Sequence, residues 1–306
     1  MAGAKDLVLR IYTSPRTHRI LPAPLALALV GAIEPPLRRL RNPVEEADAE
    51  RLVSDLLQFT PRAGETRAVT RRHLRERSLM RELFWRPWLL RRARIIDAHR
   101  WDEAREGGRG SVVVLAHIGA SWAVPGILGL RGYKDFRLVG SAHMWEPLPP
   151  NLVGRTDTFR IREYGARMLG AERLIPNTVE PDRLIELVEQ GLSVGVAFDV
   201  PGSAATPFLG RSVALTSVPA SLAFRTKVKV LPVIAERHGT RMHLRMLEPL
   251  DPADYRDLSA LRAAIARTYE SIVLTRPESV ENAWYPSPLV TEALTSQAAS
   301  APSPED

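Results

Sequence analysis

Residues 111–123 read SVVVLAHIGASWA, an apolar run that leads directly into a histidine, His117. Consecutive β-branched residues predict a buried strand that ends at this histidine, and Gly119 lets the chain turn sharply beside it. Ligands of open α/β sheets bind at the carboxyl ends of strands, where an imidazole can serve as a general base. We therefore predict that His117 is the centre of a catalytic site. The alternative is a core histidine that only satisfies its own hydrogen bonds.

A second apolar run ends in an aspartate. Residues 194–202 read VGVAFDVPG, so Asp199 follows another predicted strand. If the two strands are neighbours in one sheet, Asp199 lies on the same edge as His117, where a carboxylate can orient an imidazole or stabilise the imidazolium. The alternative is an aspartate that only begins the turn at Pro201 and Gly202.

A third block combines a turn, an extended segment and a helix start. Residues 206–220 read TPFLGRSVALTSVPA. We predict that Ser217 caps the following helix, whose N-terminal amides attract an anion or a carbonyl oxygen. Arg211 can meet a phosphate in such a site. The alternative is structural capping alone.

From residue 108 onward, strand-like and helix-like segments alternate. The predicted strands are residues 111–116, 137–140, 174–176, 193–198, 228–235 and 242–247. The predicted helices are residues 122–132, 157–168, 181–189, 219–226 and 258–274. This alternation predicts the α/β class, with a central mixed, mostly parallel sheet flanked by helices and an N-terminal helical region.

Helical periodicity dominates the first 100 residues, at 45–57 and again at 66–83. We divide the chain into an N-terminal helical, membrane-associating part at 1–100, an α/β core at 101–290 and a disordered tail at 291–306. The tail is expected to be disordered because it is small, polar and proline-containing. The two ordered parts are expected to form one integrated domain.

The net charge of +7 is concentrated in residues 71–95, where nine arginines and two glutamates are interleaved with aromatic and aliphatic residues. Such a segment predicts contact with an anionic lipid surface or an anionic substrate, and nucleic acid is not expected. The alternative is a solvated arginine face on a helix whose other side is core. The candidates for docking are Arg71, Arg72, Arg75, Trp85, Trp88, Arg91 and Arg92.

An uncharged stretch at residues 20–33 is too short to span a bilayer and predicts an interfacial or buried helix. The chain has no cysteine, which excludes disulfides, thiolate metal sites and a cysteine nucleophile. Seven scattered histidines predict no metal site, and the first twenty residues carry no secretory signal.

In their order and spacing, these blocks resemble the lysophospholipid acyltransferase superfamily. The branch is that of the bacterial lipid A late acyltransferases and the mycobacterial phosphatidylinositol mannoside acyltransferases. The resemblance covers residues 10–290. It depends on the basic segment 71–95, the strand ends at 116–119 and 199, the block 207–211, and the pair 223–226 and 230–233.

The resemblance implies an acyltransferase that works on the cytoplasmic side of the inner membrane as a peripheral protein. It would move a fatty acyl group from acyl-CoA or acyl carrier protein to a hydroxyl or amine of a lipid, glycolipid or lipid-like metabolite. His117 would be the general base, no cofactor would be tightly bound, and Asp199 would orient the base or bind the acceptor. The residues expected to shape the substrate site are Gly119, Ser121, Trp122, Phe208, Gly210, Arg211 and Ser217.

The chain departs from the family at the central motif, which places an acid five residues after the histidine, often as His-x-Gly-Asn-Trp-Glu. Trp122 occupies that position here, and allowing one inserted residue places Ala123 there instead. Three interpretations follow: an acid relocated in the fold, an amine acceptor that needs less base assistance, or a catalytically degenerate acyl-lipid-binding protein. Asp199 is the leading candidate for a relocated acid, and Glu146 and Glu163 are weaker ones.

Overall fold

A computed structural model describes residues 20–41, 43–84, 86–140 and 170–281. Several predictions concern residues outside these ranges: Trp85, Glu146, Glu163, the helix at 157–168 and the tail at 291–306. Within the described ranges, no helix is both long enough and apolar enough to cross a membrane.

Helices and strands alternate along most of the chain. The helices are α1 (Ala23–Arg41), α2 (Pro43–Leu57), α3 (Thr66–Phe84), α4 (His99–Ala104), α5 (Ala123–Leu130), α6 (Pro181–Glu189), α7 (Val218–Thr226) and α8 (Leu258–Thr275). The strands are β1 (Arg94–Ile96), β2 (Val112–Leu115), β3 (Phe136–Gly140), β4 (Leu174–Pro176), β5 (Ser193–Ala197), β6 (Pro201–Phe208), β7 (Arg211–Leu215), β8 (Val230–His238) and β9 (Arg241–Met246).

Seven of the strands form one sheet in the order β1-β9-β8-β2-β5-β3-β4. All neighbours are parallel except β8 and β9, which form an antiparallel hairpin. The fold is therefore α/β with a mixed, mostly parallel sheet and N-terminal helices, which confirms the predicted class. The division of the chain at residues 100 and 290 stays a prediction.

The central strand β2 is buried on both of its faces. Val112 and Val114 pack into a core shared with α2, α6, α7 and α8. Val113 and Leu115 point the other way, into a core shared with α1, α3 and α5. Because side chains alternate along a strand, only a continuous apolar run can fill both cores. This burial explains why the apolar pattern of residues 112–115 correctly predicted strand β2.

The basic segment begins as an amphipathic helix. In α3, Leu74, Leu79 and Met80 are buried, whereas Arg71, Arg72 and Arg75 are exposed. The helix ends at Phe84, before the 3₁₀ turn Pro87–Arg92, because proline cannot donate the next helical hydrogen bond. The structure thus shows an arginine face opposite a core face, and docking through that face stays a prediction.

Two features were missed from the sequence. β1 lies in the part predicted to be helical, and β6 pairs with β7, the predicted extended segment, in a separate antiparallel hairpin after Asp199. A strand of three residues has no measurable period. β6 reads PGSAATPF, a composition typical of turns, so it holds its extended form through pairing with β7 and not through propensity.

Tyr269 of α8 holds the sheet together beside the end of β2. Its buried hydroxyl donates to the carbonyl oxygen of Val114 at 2.6 Å and accepts from the amide of Val233 at 3.2 Å. The ring also stacks on Phe198, with centroids 4.7 Å apart and planes 16° from parallel. Tyr269 therefore links β2, β8 and the residue next to Asp199.

We expect Tyr269→Phe to lower the free energy of unfolding by about 2 kcal/mol. The change removes the hydroxyl that pairs with buried backbone groups and leaves the packing unchanged. Burial raises the pKa of the Tyr269 hydroxyl well above its ordinary value of 10.0, and the charge of Asp199 acts in the same direction. Since the folded state favours the neutral form, this stabilisation is complete below about pH 10 and is lost above it. Urea denaturation of both proteins at pH values below and above about 10 should show that the free energy of unfolding falls more steeply with pH in the wild type. An equal dependence of the free energy of unfolding on pH in the two proteins would contradict this account.

Candidate active site

His117 and Asp199 lie side by side at the carboxyl edge of the sheet. β2 and β5 pair in parallel, with Leu115 opposite Ala197, so the residues two positions further on are also level. The Nδ1 atom of His117 donates to Oδ1 of Asp199 at 2.9 Å, and the backbone amide of His117 donates to Oδ2 at 2.6 Å. One carboxylate therefore fixes both the ring and the main chain of the histidine.

The Asp199 side chain is only 1% exposed, whereas the His117 side chain is 20% exposed. Phe198, the residue before Asp199, packs between Tyr269 and Phe208. The carboxylate therefore has little freedom, and both of its oxygens are occupied by His117. This arrangement is not the turn-initiating role that was the alternative for Asp199.

The pairing sets the tautomer of the imidazole. An ionised carboxylate only accepts hydrogen bonds, so Nδ1 carries a proton, and in the neutral imidazole the lone pair is therefore on Nε2. Nε2 can then accept a proton from a substrate, and the buried carboxylate stabilises the imidazolium that results. The geometry suits general-base chemistry, with His117 as the base and Asp199 as its orienting partner.

The turn after His117 requires glycine at position 119. Gly119 has a φ of 73°, and a Cβ atom there would overlap the carbonyl oxygen of Ala235 on β8. That oxygen accepts from the amide of Ala120 at 2.7 Å. The close approach of β8 therefore holds the turn in place, and only a residue without a side chain permits it.

Residues 276–281, which we call the strap, cross the same turn from outside. The carbonyl oxygen of His117 accepts from the amide of Glu281 at 2.9 Å, and the amide of Gly119 donates to the carbonyl oxygen of Ser279 at 2.7 Å. The Ser121 hydroxyl donates to Oε1 of Glu281 at 2.7 Å. The strap therefore places a carboxylate next to the position where the resemblance led us to expect an acid.

The strap is itself anchored at two places. Arg276 pairs with Glu236 of β8 at 3.2 Å, and the carbonyl oxygen of Glu278 lies 3.1 Å from Nδ1 of His73 on α3. Neither Glu281 nor the strap was predicted from the sequence. No local signal could have found them, because the Ser121–Glu281 contact spans 160 residues.

We expect Gly119→Ala to destabilise the protein by about 2 kcal/mol more than Gly132→Ala does, as measured by thermal unfolding. Both glycines have positive φ, but a Cβ at Gly132 would meet nothing within 4 Å. Gly132→Ala therefore reports the backbone strain alone. Because Gly119→Ala also moves the turn that carries His117, it should lower the rate of any reaction that uses His117 as its base on the order of 100-fold. Equal effects of the two alanines would show that β8 does not constrain the turn.

The remaining candidates lie in three places. Trp122 is half-buried immediately before α5. Phe208 is buried in the core. Leu209 and Gly210 form the turn from β6 to β7, which packs on the backbone of Phe59, and Arg211 is the first residue of β7. Their substrate contacts stay predictions.

The expected capping role of Ser217 is wrong. Ser217 does precede α7, but its backbone is in the right-handed helical region and its side chain makes no cap hydrogen bond. An N-cap normally needs an extended backbone so that its oxygen can reach the following amides. Instead, the Thr216 hydroxyl accepts from the amide of Val218 at 3.2 Å, and Arg262 donates to the Ser217 hydroxyl at 3.3 Å.

Metal ligands are not assembled in the described part of the chain, which contains no group of three or more histidine or acidic side chains placed to hold an ion. The site that the structure does assemble is the His117–Asp199 pair with the strap beside it.

Comparisons with known proteins found a matching family model and a similar solved structure. The family model for bacterial lipid A biosynthesis acyltransferases covers residues 84–280, a range that contains both His117 and Asp199. The chain is also similar to a solved structure, the 1-acyl-sn-glycerophosphate (LPA) acyltransferase PlsC from Thermotoga maritima. That match has 15% identity and a TM-score of 0.38 over 78% of this chain and 97% of the other. No curated protein sequence matches the chain.

Proposed function

The chain belongs to the bacterial lipid A biosynthesis acyltransferase family, and we propose that it transfers a fatty acyl group with His117 as its general base. The donor is a thioester, either acyl-CoA or acyl carrier protein. The acceptor is a hydroxyl or an amine on a lipid, a glycolipid or a lipid-like metabolite. The observation that carries the proposal is the hydrogen-bonded pair of His117 and Asp199 at the sheet edge.

In this reaction Nε2 of His117 removes the proton from the acceptor group as its oxygen or nitrogen attacks the thioester carbonyl carbon. The imidazolium formed is stabilised by the buried carboxylate of Asp199. The tetrahedral intermediate then collapses, the carbon–sulfur bond breaks, and the imidazolium returns its proton to the departing thiolate. These steps need no tightly bound cofactor.

Asp199 supports the first of the three interpretations of the missing acid. It comes from the neighbouring strand and hydrogen-bonds the ring nitrogen that an orienting acid must contact. Glu281 adds a second carboxylate, held against the turn by Ser121. The departure from the family motif is therefore compatible with catalysis and does not require a binding-only protein.

Exposed side chains of the N-terminal helices support docking at a membrane surface. Ile20, Leu25 and Leu29 are exposed at or near the start of α1, and Trp88 is exposed after α3. The exposed arginines nearby along the chain are Arg71, Arg72, Arg75, Arg91 and Arg92. Apolar and cationic groups together favour a peripheral site on an anionic leaflet, on the cytoplasmic side where the acyl donors are found.

The test is acyl transfer by the purified protein. Labelled palmitoyl-CoA and palmitoyl-acyl carrier protein are supplied in parallel with an extract of polar lipids and amines from the source cells, and products are identified by mass. A new acylated product with either donor is expected, and its mass names the acceptor. If neither donor yields a product while the protein still binds acyl chains, the degenerate binding protein is the correct interpretation.

A further inference from the structure

A cavity of about 540 Å³ lies between the N-terminal helices and the tip of the β8–β9 hairpin. Its volume is in the range of ordinary small-molecule sites. The residues that line it come from α1, α3, the hairpin and the strap: Pro24, Leu27, Ala28, Arg72, Arg75, Glu76, Leu79, Arg237, Gly239, Thr240 and Glu278. We call it the basic cavity. His117 is not part of its wall.

The charged groups of the basic cavity are unequally paired. Arg237 and Glu76 form a two-point ion pair with both side chains largely buried, so neither is available to a ligand. Arg72 is half-exposed and makes only long ion pairs of 3.6 Å, with Glu65 and Glu278.

Arg75 has no ion pair within the described part of the chain, and its guanidinium lies close to the backbone of α1 at Gly31. An arginine with no partner at the mouth of a cavity is placed to accept an anion. Arg72, one turn earlier on the same face of α3, can contribute its remaining donors to the same group.

Apolar residues of α1 and α3 also line the cavity. Leu27 and Leu79 are buried and face the cavity from α1 and α3, with Pro24 and Ala28 beside them. On the surface of α1, Leu25 and Leu29 are exposed next to Ala28. An apolar surface therefore continues from the inside of the cavity to the outside of the helix.

From these observations we propose that the basic cavity binds one anionic phospholipid. The phosphate lies between Arg72 and Arg75, and an acyl chain runs along Leu27 and Leu79 toward the exposed face of α1. The proposal deepens the membrane docking argued above by naming a discrete lipid site. It does not depend on the transfer reaction, because the site contains neither His117 nor Asp199.

The occupant would also set how the protein sits on the membrane. Glu278 lines the cavity and belongs to the strap, whose next residues contact the His117 turn. A lipid held here therefore brings the carboxyl edge of the sheet to the bilayer surface, where a lipid acceptor is found.

The test is isothermal titration of the full chain with dihexanoyl-phosphatidylglycerol below its micelle concentration. One site per chain is expected. Arg75→Gln should weaken binding at least about tenfold, since a charge-assisted contact is lost. Arg67→Gln is the matched control, because Arg67 is exposed on the same helix, lies outside the cavity and is not among the docking arginines. It should leave the monomer titration unchanged. Equal losses from the two variants would overturn the site in favour of diffuse attraction.

A second pair of variants keeps the charge constant. Ala28→Trp fills the cavity and should abolish binding, whereas Ala47→Trp, at an exposed alanine of α2 outside the cavity, should not. Thermal unfolding identifies any variant that fails to fold. His117→Ala should bind the lipid normally, so a failure of the transfer reaction and a failure of the lipid site are distinguishable.

Three further ligands define the chemistry. Glycerol phosphate tests whether a free phosphate is enough, and dihexanoyl-phosphatidylcholine tests whether the net negative charge matters. Much weaker binding of both is expected, and equal binding of either would overturn the proposal. CoA is the third. If CoA displaces the lipid from the wild type and binds more weakly to Arg75→Gln, the cavity serves the acyl donor and the lipid assignment is wrong.

Discussion

Replacing His117 with alanine is expected to lower kcat for acyl transfer by about 10²- to 10⁴-fold, the usual contribution of a general base. Nε2 of His117 is the proposed proton acceptor in the reaction, and Asp199 already holds the ring in the tautomer that makes this possible. An acceptor hydroxyl is a weak nucleophile without such a base, so the chemical step should suffer more than substrate binding. Steady-state rates measured with the donor identified above check this directly.

The His117→Ala variant should fold normally, since the carboxylate of Asp199 keeps its hydrogen bond from the backbone amide at position 117. Thermal unfolding provides that control. An amine acceptor gives a graded outcome, because an amine needs less base assistance and should lose less rate than a hydroxyl. Unchanged kcat with both kinds of acceptor would remove His117 from the mechanism.

Replacing Asp199 with asparagine is expected to reduce kcat by about 10⁴-fold, by analogy with the loss of the carboxylate in serine-protease triads. Asp199 accepts two hydrogen bonds from His117, and an amide has only one oxygen to offer. If that oxygen keeps the backbone amide, the amide NH₂ faces Nδ1 and forces the proton onto Nε2. Nε2 then carries a proton and lacks the lone pair that must accept the proton of the acceptor group.

Asp182→Asn is the matched control, because Asp182 is an exposed aspartate paired with Arg225 on the surface. It should leave kcat unchanged. If His117 and Asp199 act as one unit, the double variant should lose little more than His117→Ala alone. Full additivity of the two losses, or wild-type kcat in Asp199→Asn, would show that Asp199 does not work through the histidine.

Much of the fold could be predicted from the sequence because β2 and β5 are buried on both faces. Such strands must be largely apolar, and this pattern is visible in residues 112–115 and 194–197 without any tertiary information. α3 was visible for the related reason that its buried and exposed residues repeat at the helical period. β1 and β6 were not predictable, since their extended form depends on the strands beside them.

The candidate site divides in the same way. Ser217 shows how a local pattern can mislead, because the residue type and position suited a cap while the backbone conformation did not. Glu281 shows the opposite case, since nothing around it suggests a role and only its contact with Ser121 reveals one.

The sequence by itself determined that the chain is an α/β protein with a histidine and an aspartate at the ends of two buried strands. The local sequence is enough for that, because a strand buried on both faces is an apolar run and the polar residue that follows the run indicates where the strand ends. Only the tertiary structure decided that the two strands are adjacent and in a register that puts Asp199 level with His117. It also placed the strap over the turn after His117. Strand order, register and contacts across 160 residues result from packing the whole chain, and no single stretch of sequence encodes them.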